Sequence, residues 1–238
     1  MKLSKRLETV ASMVTKGNRA ADVGCDHGFV PIFLVESGIS PLAVAADVRP
    51  GPLSRAKEHI KEHRLEEKIQ TRLSDGLANI KPGEADSLIM SGIGGILMMR
   101  LLQDEEHTAK SFKELILSPQ SELFDVRRYL VSNGYLIEYE HMLCDEGKYY
   151  FIFHVLVKKD EREWSEEEYR YGKDICKDDM KTFLAYLEKE ERQYEQILEK
   201  VKQAPENDRA AQRIAQLHQD ITCLKKRRQL VYDCGCFA

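Results

Sequence analysis

"AADVGCDHGFVP", residues 20–31, is the stretch that decides the fold. A short apolar run leads into a turn that contains Gly24 and Gly28, and a pattern typical of a helix comes next. Such a turn between a strand and a helix brings backbone N–H groups and the positive end of the helix against a ligand. The stretch therefore predicts a ligand-binding loop of an α/β domain, with a simple turn whose aspartates cap the helix as the alternative.

The same alternation of strand and helix patterns continues along the first two-thirds of the chain. Four further apolar runs alternate with helical patterns, at residues 42–48, 68–76, 85–92 and 114–120. This order indicates a parallel sheet that is covered by helices on both faces. Two longer β patterns within residues 134–159 then surround Asp145-Glu146-Gly147 and predict a hairpin, which adds an antiparallel edge to the sheet.

From about Asp160 onward the pattern is helical only. Apolar residues recur at heptad spacing in two segments, which are Met180, Leu184, Leu187, Tyr194, Leu198 and Val201, then Ala210, Ile214, Leu217, Ile221 and Leu224. The pattern predicts a C-terminal α-helical domain, an antiparallel coiled-coil hairpin, with an ordinary helical hairpin packed on the first domain as the alternative. The predicted domains are 1–159 and 160–238, and residues 1–159 are expected to fold alone.

Composition limits the classes of function. The 238 residues carry a net charge of −4, so any contact with nucleic acid would depend on local basic patches. No apolar span is long enough for a signal peptide or a membrane helix, which favours a cytoplasmic protein without membrane contact. Cys234 and Cys236 lack a second ligand pair, so no metal site is predicted. Two paired helices would allow a monomer or a weak homo-oligomer.

Acidic residues come after three successive predicted strands. Asp26 stands between the two glycines of the loop and would repel a pyrophosphate, whereas a ligand with ammonium and sulfonium groups would be attracted. Asp47 ends the second strand, where an acid meets ribose hydroxyls in this architecture. Asp75 and Gly76 come after the third strand, where a carboxylate could accept a hydrogen bond from an adenine amino group. Together these acids predict one crevice that binds a cationic nucleoside.

The segments "DVGCDHG", "AADV", "LSDG", "SGIGG" and "SPQ", in this order, resemble class I S-adenosylmethionine-dependent methyltransferases. The chain is similar in particular to the bacterial tRNA (adenine-22-N1)-methyltransferase family, TrmK, over essentially its whole length, since that family also carries a C-terminal coiled coil. The resemblance implies a Rossmann-like sheet with S-adenosylmethionine as cofactor. The cofactor-binding residues that it implies are Asp22, Gly24, Asp26, His27, Gly28, Asp47, Asp75 and Gly76. His27 would act as a base or cap the helix.

The segment after the fourth strand narrows the chemistry. Methyltransferases of exocyclic adenine amines usually carry an Asn/Asp-Pro-Pro-aromatic run there, whereas this chain has "SGIGGI" at 91–96. Carbon methylation of a pyrimidine would need a cysteine nucleophile, and Cys25 on the loop is poorly placed for it. Adenine N1 offers its own lone pair, so positioning and exclusion of water would suffice. We expect Ser91 and Gln120 to position the substrate, unless Gln120 merely bonds backbone.

A tRNA partner would need a basic surface. The residues predicted to contact phosphate are the consecutive Lys225, Lys226, Arg227 and Arg228, with a solvated helix face as the alternative. Lys2, Lys5 and Arg6 add positive charge at the N-terminus. The leading hypothesis is a tRNA adenine-N1 methyltransferase. Two alternatives stay open, a methyltransferase that acts on a small molecule or protein, and a non-catalytic scaffold whose coiled coil docks a partner.

Overall fold

The computed structural model describes residues 3–175, 177–203 and 207–233. Within them one seven-stranded sheet forms the centre of the molecule. Its strands are β1 Ala20–Val23, β2 Ala43–Asp47, β3 Ile69–Leu73, β4 Ser87–Ser91, β5 Glu114–Ser118, β6 Leu136–Asp145 and β7 Lys148–Leu156. The helices are α1 Lys5–Ser12, α2 Phe29–Glu36, α3 Pro50–Glu62, α4 Gly95–Asp104, α5 Glu106–Ala109, α6 Leu123–Ser132, α7 Glu166–Tyr171, α8 Met180–Lys202 and α9 Asp208–Asp233.

The strand order is β3-β2-β1-β4-β5-β7-β6. Strands β1 to β5 are parallel to one another, and β7 pairs antiparallel with both β5 and β6. This confirms the Rossmann-like sheet with an antiparallel edge hairpin. The order reverses between β1 and β4, and the carboxyl ends of parallel strands at such a reversal form a crevice where ligands bind.

Helices cover both faces of the sheet, so β1, β2 and β5 are buried along their whole length. On one face Val10 of α1, Ile32 of α2 and Ile60 of α3 pack in one apolar cluster. A second cluster occupies the opposite face, where α4 and α6 lie. The apolar runs that predict the strands are therefore the two-sided core of the domain.

The C-terminal helices α8 and α9 form the predicted hairpin. Arg228 bonds to Glu191 and Leu198 packs with Leu217 and Ile221, so the two helices run antiparallel. Among the described residues of the hairpin, only this distal part has an apolar cluster of its own. In the proximal part Phe183 packs into the core cluster of the sheet instead. This part of the hairpin therefore packs on the first domain, as the alternative to a coiled coil predicts. Phe183 falls between the heptad positions, and its ring contacts both this core cluster and the guanidinium group of Arg227 on α9, which lies 5.9 Å from the ring centre.

No helix among the described residues is both long and apolar enough to span a membrane.

Candidate active site

A cavity of about 410 Å³ opens at the carboxyl ends of the parallel strands. This volume lies within the usual range for small-molecule sites, roughly 300–1,000 Å³. The residues predicted from the sequence that line it are Gly24, Asp26, Asp47, Asp75, Gly76, Ser91 and Gln120. The fold therefore brings into one cavity side chains that lie far apart in the chain.

Two buried carboxylates give the cavity its electrostatic character. Asp22 in β1 and Asp47 at the end of β2 are each only 4% exposed. Burial, reinforced by the negative charge of Asp47, raises the pKa of Asp22 to about 7. Oδ1 of Asp47 accepts a hydrogen bond of 2.8 Å from the amide of Arg49. Two desolvated acids so close together favour a positively charged ligand.

The loop after β1 requires glycine at its first turn. Gly24 has φ of +80°, a conformation that side chains rarely adopt. Its amide donates to the carbonyl oxygen of Ala46 at 2.9 Å, which holds the loop against β2. A Cβ at this position would lie 3.7 Å from Ile93, another residue of the cavity wall. Glycine thus keeps the backbone accessible to a ligand.

Three of the predicted cofactor-binding residues, Asp22, His27 and Gly28, lie outside the lining of the cavity among the described residues. A Cβ on Gly28 would come within 3.1 Å of the Ala56 Cβ, so this glycine permits close packing against α3 rather than approach to a ligand. The ring of His27 stacks on Phe29, and its carbonyl accepts a hydrogen bond of 2.9 Å from His59. Neither the short 3-10 helix Asp26–Gly28 nor α2 has a side-chain cap at its N-terminus, so His27 does not cap a helix.

Ser91 and Gln120 meet at the wall formed by the ends of β4 and β5. Arg6 of α1 donates a hydrogen bond to Oγ of Ser91. The backbone amide of Gln120 donates to the carbonyl oxygen of Ile93 at 2.9 Å, which ties the two loops together. The exposed side-chain amide of Gln120 makes no hydrogen bond to any described residue. It is therefore available to a substrate, contrary to the alternative that it bonds backbone.

Cys25 is unsuited to nucleophilic chemistry. Its thiol is 4% exposed. Burial raises the pKa of this thiol well above its usual value, and the charges of Asp22 and Asp47 raise it further. The site therefore lacks a thiolate at this position for attack on a pyrimidine carbon.

Comparisons with known proteins agree with this geometry. The family model described as "Methyltransferase domain" matches residues 3–153, which contain most of the sheet. The Bacillus subtilis tRNA (adenine(22)-N(1))-methyltransferase is 28% identical over 95% of this chain and 97% of its own length. A solved structure of the M. capricolum TrmK with S-adenosyl-homocysteine is 25% identical, with a TM-score of 0.84 over 97% of this chain and all of that one.

The chain belongs to the TrmK family of methyltransferases. A Streptococcus pneumoniae relative, solved in complex with S-adenosyl-L-methionine, is 32% identical to this TrmK-family chain, with a TM-score of 0.82. The match covers 94% of this chain and 99% of the relative, so it includes the C-terminal helices. The whole-chain resemblance predicted from the sequence motifs is thereby confirmed.

In this TrmK-family chain the basic run near the C-terminus lies apart from the cavity, on α9. Lys225 and Arg228 pair with Glu191, and Lys226 pairs with Glu167. Arg227 is half-buried and donates to the Lys173 carbonyl at 3.0 Å. These contacts tie α9 to α7 and α8, so the run has structural partners that its sequence did not indicate.

Three residues singled out in the sequence lie outside the described part of the chain, namely Lys2, Cys234 and Cys236. Within the described ranges, no group of three or more histidine, cysteine or acidic side chains is arranged to hold a metal ion.

Sequence reasoning missed several residues of the TrmK-family cavity, namely Arg6 as a site residue, Val48, Ser74, Ile93, Leu97 and Leu101. Two of them carry a usable signal, because Leu97 and Leu101 are four positions apart and share one face of α4. Arg6 has none, since its partner Ser91 is 85 positions away.

Proposed function

We propose that this chain transfers a methyl group from S-adenosylmethionine to N1 of adenine 22 in tRNA. The observation that carries the proposal is the cavity at the strand ends, where Asp47 and Asp75 line the wall and Asp22, buried in β1, directly precedes the lining residue Val23. The activity named for the Bacillus subtilis relative, which matches 95% of the chain, supplies the substrate. The Streptococcus pneumoniae relative, solved with S-adenosyl-L-methionine, supports the cofactor.

The residues present fit S-adenosylmethionine. Its ammonium and sulfonium groups are positive, and the buried carboxylates of Asp22 and Asp47 favour positive charge. Asp47 would accept hydrogen bonds from the ribose hydroxyls, and Asp75 would face the adenine end. The half-exposed apolar side chains of Val48 and Leu97 line the same cavity and would cover the flat faces of the adenine. When bound, the cofactor supplies an electrophilic methyl group.

The chain's own residues then have to position the acceptor base. Gln120 would hydrogen-bond the edge of the target adenine, because its side-chain amide is exposed and lines the cavity. Ser91, held by Arg6, would fix the neighbouring wall. Adenine N1 attacks with its own lone pair and no proton leaves it, so the reaction needs alignment and exclusion of water rather than a general base.

The remaining assignments are part of the same proposal. The enzyme would act in the cytoplasm as a monomer or a weak homo-oligomer. Lys225 and Lys226 are exposed and would contact tRNA phosphates by exchanging their ion pairs with Glu191 and Glu167 for phosphate contacts. Residues 1–159 would bind the cofactor, and the helices of residues 160–238 would add contacts with the RNA.

The test is to incubate the full chain with tRNA and S-adenosylmethionine labelled in the methyl group, then to digest the tRNA and identify the labelled nucleoside by mass spectrometry. We expect N1-methyladenosine, which an adenine-to-guanine change at position 22 abolishes. Transfer to a small molecule or protein but not to tRNA would support the second enzymatic alternative. Calorimetric titration that shows no binding of S-adenosylmethionine would instead support a non-catalytic scaffold.

A further inference from the structure

A second cavity, also of about 410 Å³, adjoins the first. Gln120 lines both, so the two cavities meet at the place where the target adenine would enter. The second cavity lies between α8 and the turn that joins β6 to β7. Its wall contains Lys148 and Tyr149 from the hairpin and Tyr186 and Lys189 from α8. None of the residues that the sequence predicts to bind the cofactor lines this second cavity.

The aromatic part of its wall is fixed in place. The rings of Tyr149 and Tyr186 meet edge to face, with centroids 5.4 Å apart. Tyr186 also contacts Phe151, a core residue, at 5.3 Å. Tyr186 is half-buried on α8, and Glu190 of the same cavity lies one helical turn after it. Aromatic rings held in this way offer a rigid surface for stacking at little entropic cost.

The charged part of the wall is positive and unpaired. Lys189 lies 5.1 Å from the ring centre of Tyr149, and Lys148 is exposed at the start of β7. Neither lysine forms an ion pair of 4 Å or less with any described acid, whereas Lys225 and Lys226 both do. Burial raises the pKa of Glu190, the acid of the cavity, which favours its neutral form. The two ammonium groups are therefore available to an anion without the loss of an ion pair, and the one existing contact, that of Lys189, is with the ring of Tyr149.

We propose that this second cavity receives the nucleotide next to the methylated adenine, with its base against Tyr149 and Tyr186 and its phosphate beside Lys148 and Lys189. The inference rests on the proposed function, since it needs an RNA substrate. Aromatic faces beside unpaired cations are the chemistry that binds single-stranded RNA. Taking the adenine out of its stack costs a few kcal/mol, and stacking its neighbour in the second cavity offsets part of that cost.

The experiment combines protein variants with altered tRNA. The full chain is assayed on intact tRNA and on two tRNAs that lack the base on one or the other side of adenine 22. We expect one of these abasic tRNAs to lose roughly tenfold or more in kcat/KM, the scale of a lost stack. Tyr149→Leu should lose a similar factor on intact tRNA and almost nothing further on that abasic tRNA. Tyr149→Phe, which keeps the ring, should stay within about twofold of the unaltered chain.

The lysines are tested by charge. Lys148→Ala combined with Lys189→Ala should raise KM for tRNA several-fold and make its salt dependence shallower, with kcat and the affinity for S-adenosylmethionine unchanged. The control is Lys181→Ala, an exposed lysine of the same helix that does not line the cavity. If Tyr149→Leu unfolds the chain, Lys148→Ala alone still tests the cavity, because Lys148 is exposed on the β6–β7 hairpin and its replacement should leave the chain folded.

Two results would overturn the inference and are distinct from failure of the proposed function. If Tyr149→Leu lowers kcat/KM on the abasic tRNA by the same factor as on intact tRNA, the ring of Tyr149 and the missing base do not touch. A double-lysine variant with unchanged KM would remove the phosphate contact. An unaltered chain that methylates no tRNA adenine would instead overturn the proposed function, and the second cavity would lose its proposed occupant with it.

Discussion

The guanidinium group of Arg127 and the carboxylate of Glu140, both completely buried, form an ion pair of 2.7 Å between α6 and β6. Nη1 of Arg127 also donates to the main-chain carbonyls of Tyr169 and Arg170 in α7, at 3.1 and 2.9 Å. Since α7 belongs to the C-terminal segment, this one side chain fixes that segment to the edge of the sheet.

Arg127→Met should lower the free energy of unfolding by roughly 3–5 kcal/mol, because it leaves the buried charge of Glu140 without a partner. The double variant Arg127→Met/Glu140→Leu should recover part of the loss, since it removes both charges. Denaturant unfolding of the full chain measures both. The control is Arg100→Ala, which breaks an exposed pair with Asp104 on α4 and should cost at most about 0.5 kcal/mol. Equal losses in Arg127→Met and the control would contradict the prediction.

The sheet could be predicted from the sequence because each parallel strand is flanked by helices that bury it. "AVAAD" in β2 and "ELILS" in β5 are largely apolar runs for that reason, and helical patterns separate them. The join between sheet and C-terminal helices could not be predicted. It depends on Phe183, whose apolar character fits either a coiled-coil face or a core contact, and on the pairing of Arg127 with Glu140, which lie on different elements.

The site was predictable where chemistry depends directly on position in the fold. Asp47 and Asp75 each stand at or just after the end of a strand, so their place at the carboxyl edge could be read from the alternation alone. His27 and Gly28 share the loop after β1, but what they contact depends on how closely α3 approaches, which the sequence does not encode locally. The unpaired state of Lys189 likewise depends on which acids the helices bring near.

Asp22→Asn should stabilise the unliganded chain at neutral pH. The pKa of Asp22 is raised from 3.8 to about 7 by burial, so between these values the folded chain holds a proton that the unfolded chain has released. The proton's contribution to the free energy of unfolding is fully present below about pH 4. It is lost as the pH rises through 7, and the total loss is up to about 4 kcal/mol. Asparagine has no charge to bury and avoids the loss.

Denaturation of the Asp22→Asn variant and the unaltered chain at a series of pH values tests this. The difference in unfolding free energy should grow in favour of the variant from about pH 4 to about pH 7, while its affinity for S-adenosylmethionine falls because a favourable charge is gone. A difference that does not change with pH would show that Asp22 ionises normally in the folded chain.

Asp47→Ala should weaken the binding of S-adenosylmethionine by roughly 1.5–3 kcal/mol, the scale of lost hydrogen bonds to a charged group. Isothermal titration measures the affinity, and circular dichroism checks that the variant is folded. Asp104→Ala, an exposed acid at the end of α4, is the matched control and should bind the cofactor normally. A folded Asp47→Ala variant with unchanged affinity would contradict the placement of the ribose at the end of β2.

The half of the C-terminal hairpin that lies against the sheet should contribute more to the free energy of unfolding than the distal half. Phe183 and Leu187 are completely buried in the core cluster of the sheet, and Leu224 joins them from α9. A chain without these residues exposes the apolar side chains of the sheet that they cover, at roughly 1.5–3 kcal/mol for each fully exposed side chain, and Arg127 loses its carbonyl partners in α7 as well. A chain that ends at residue 159 is therefore expected to be unfolded or strongly destabilised, against the expectation from sequence that residues 1–159 fold alone.

Shortening only the distal end should be tolerated. Replacing residues 199–216 by a short glycine-containing turn removes side chains that are exposed or half-buried where the structure describes them, and it leaves Leu198, Leu217 and Ile221 in contact. We expect this variant to melt cooperatively and to bind S-adenosylmethionine with unchanged affinity, whereas the chain ending at 159 should show neither property. Thermal melts measured by circular dichroism, with calorimetric titration of the cofactor, compare the two. If the chain ending at 159 melts cooperatively and binds the cofactor normally, the contacts of Phe183 and Arg127 are dispensable, and the boundary at residues 159 and 160 separates two independent folding units.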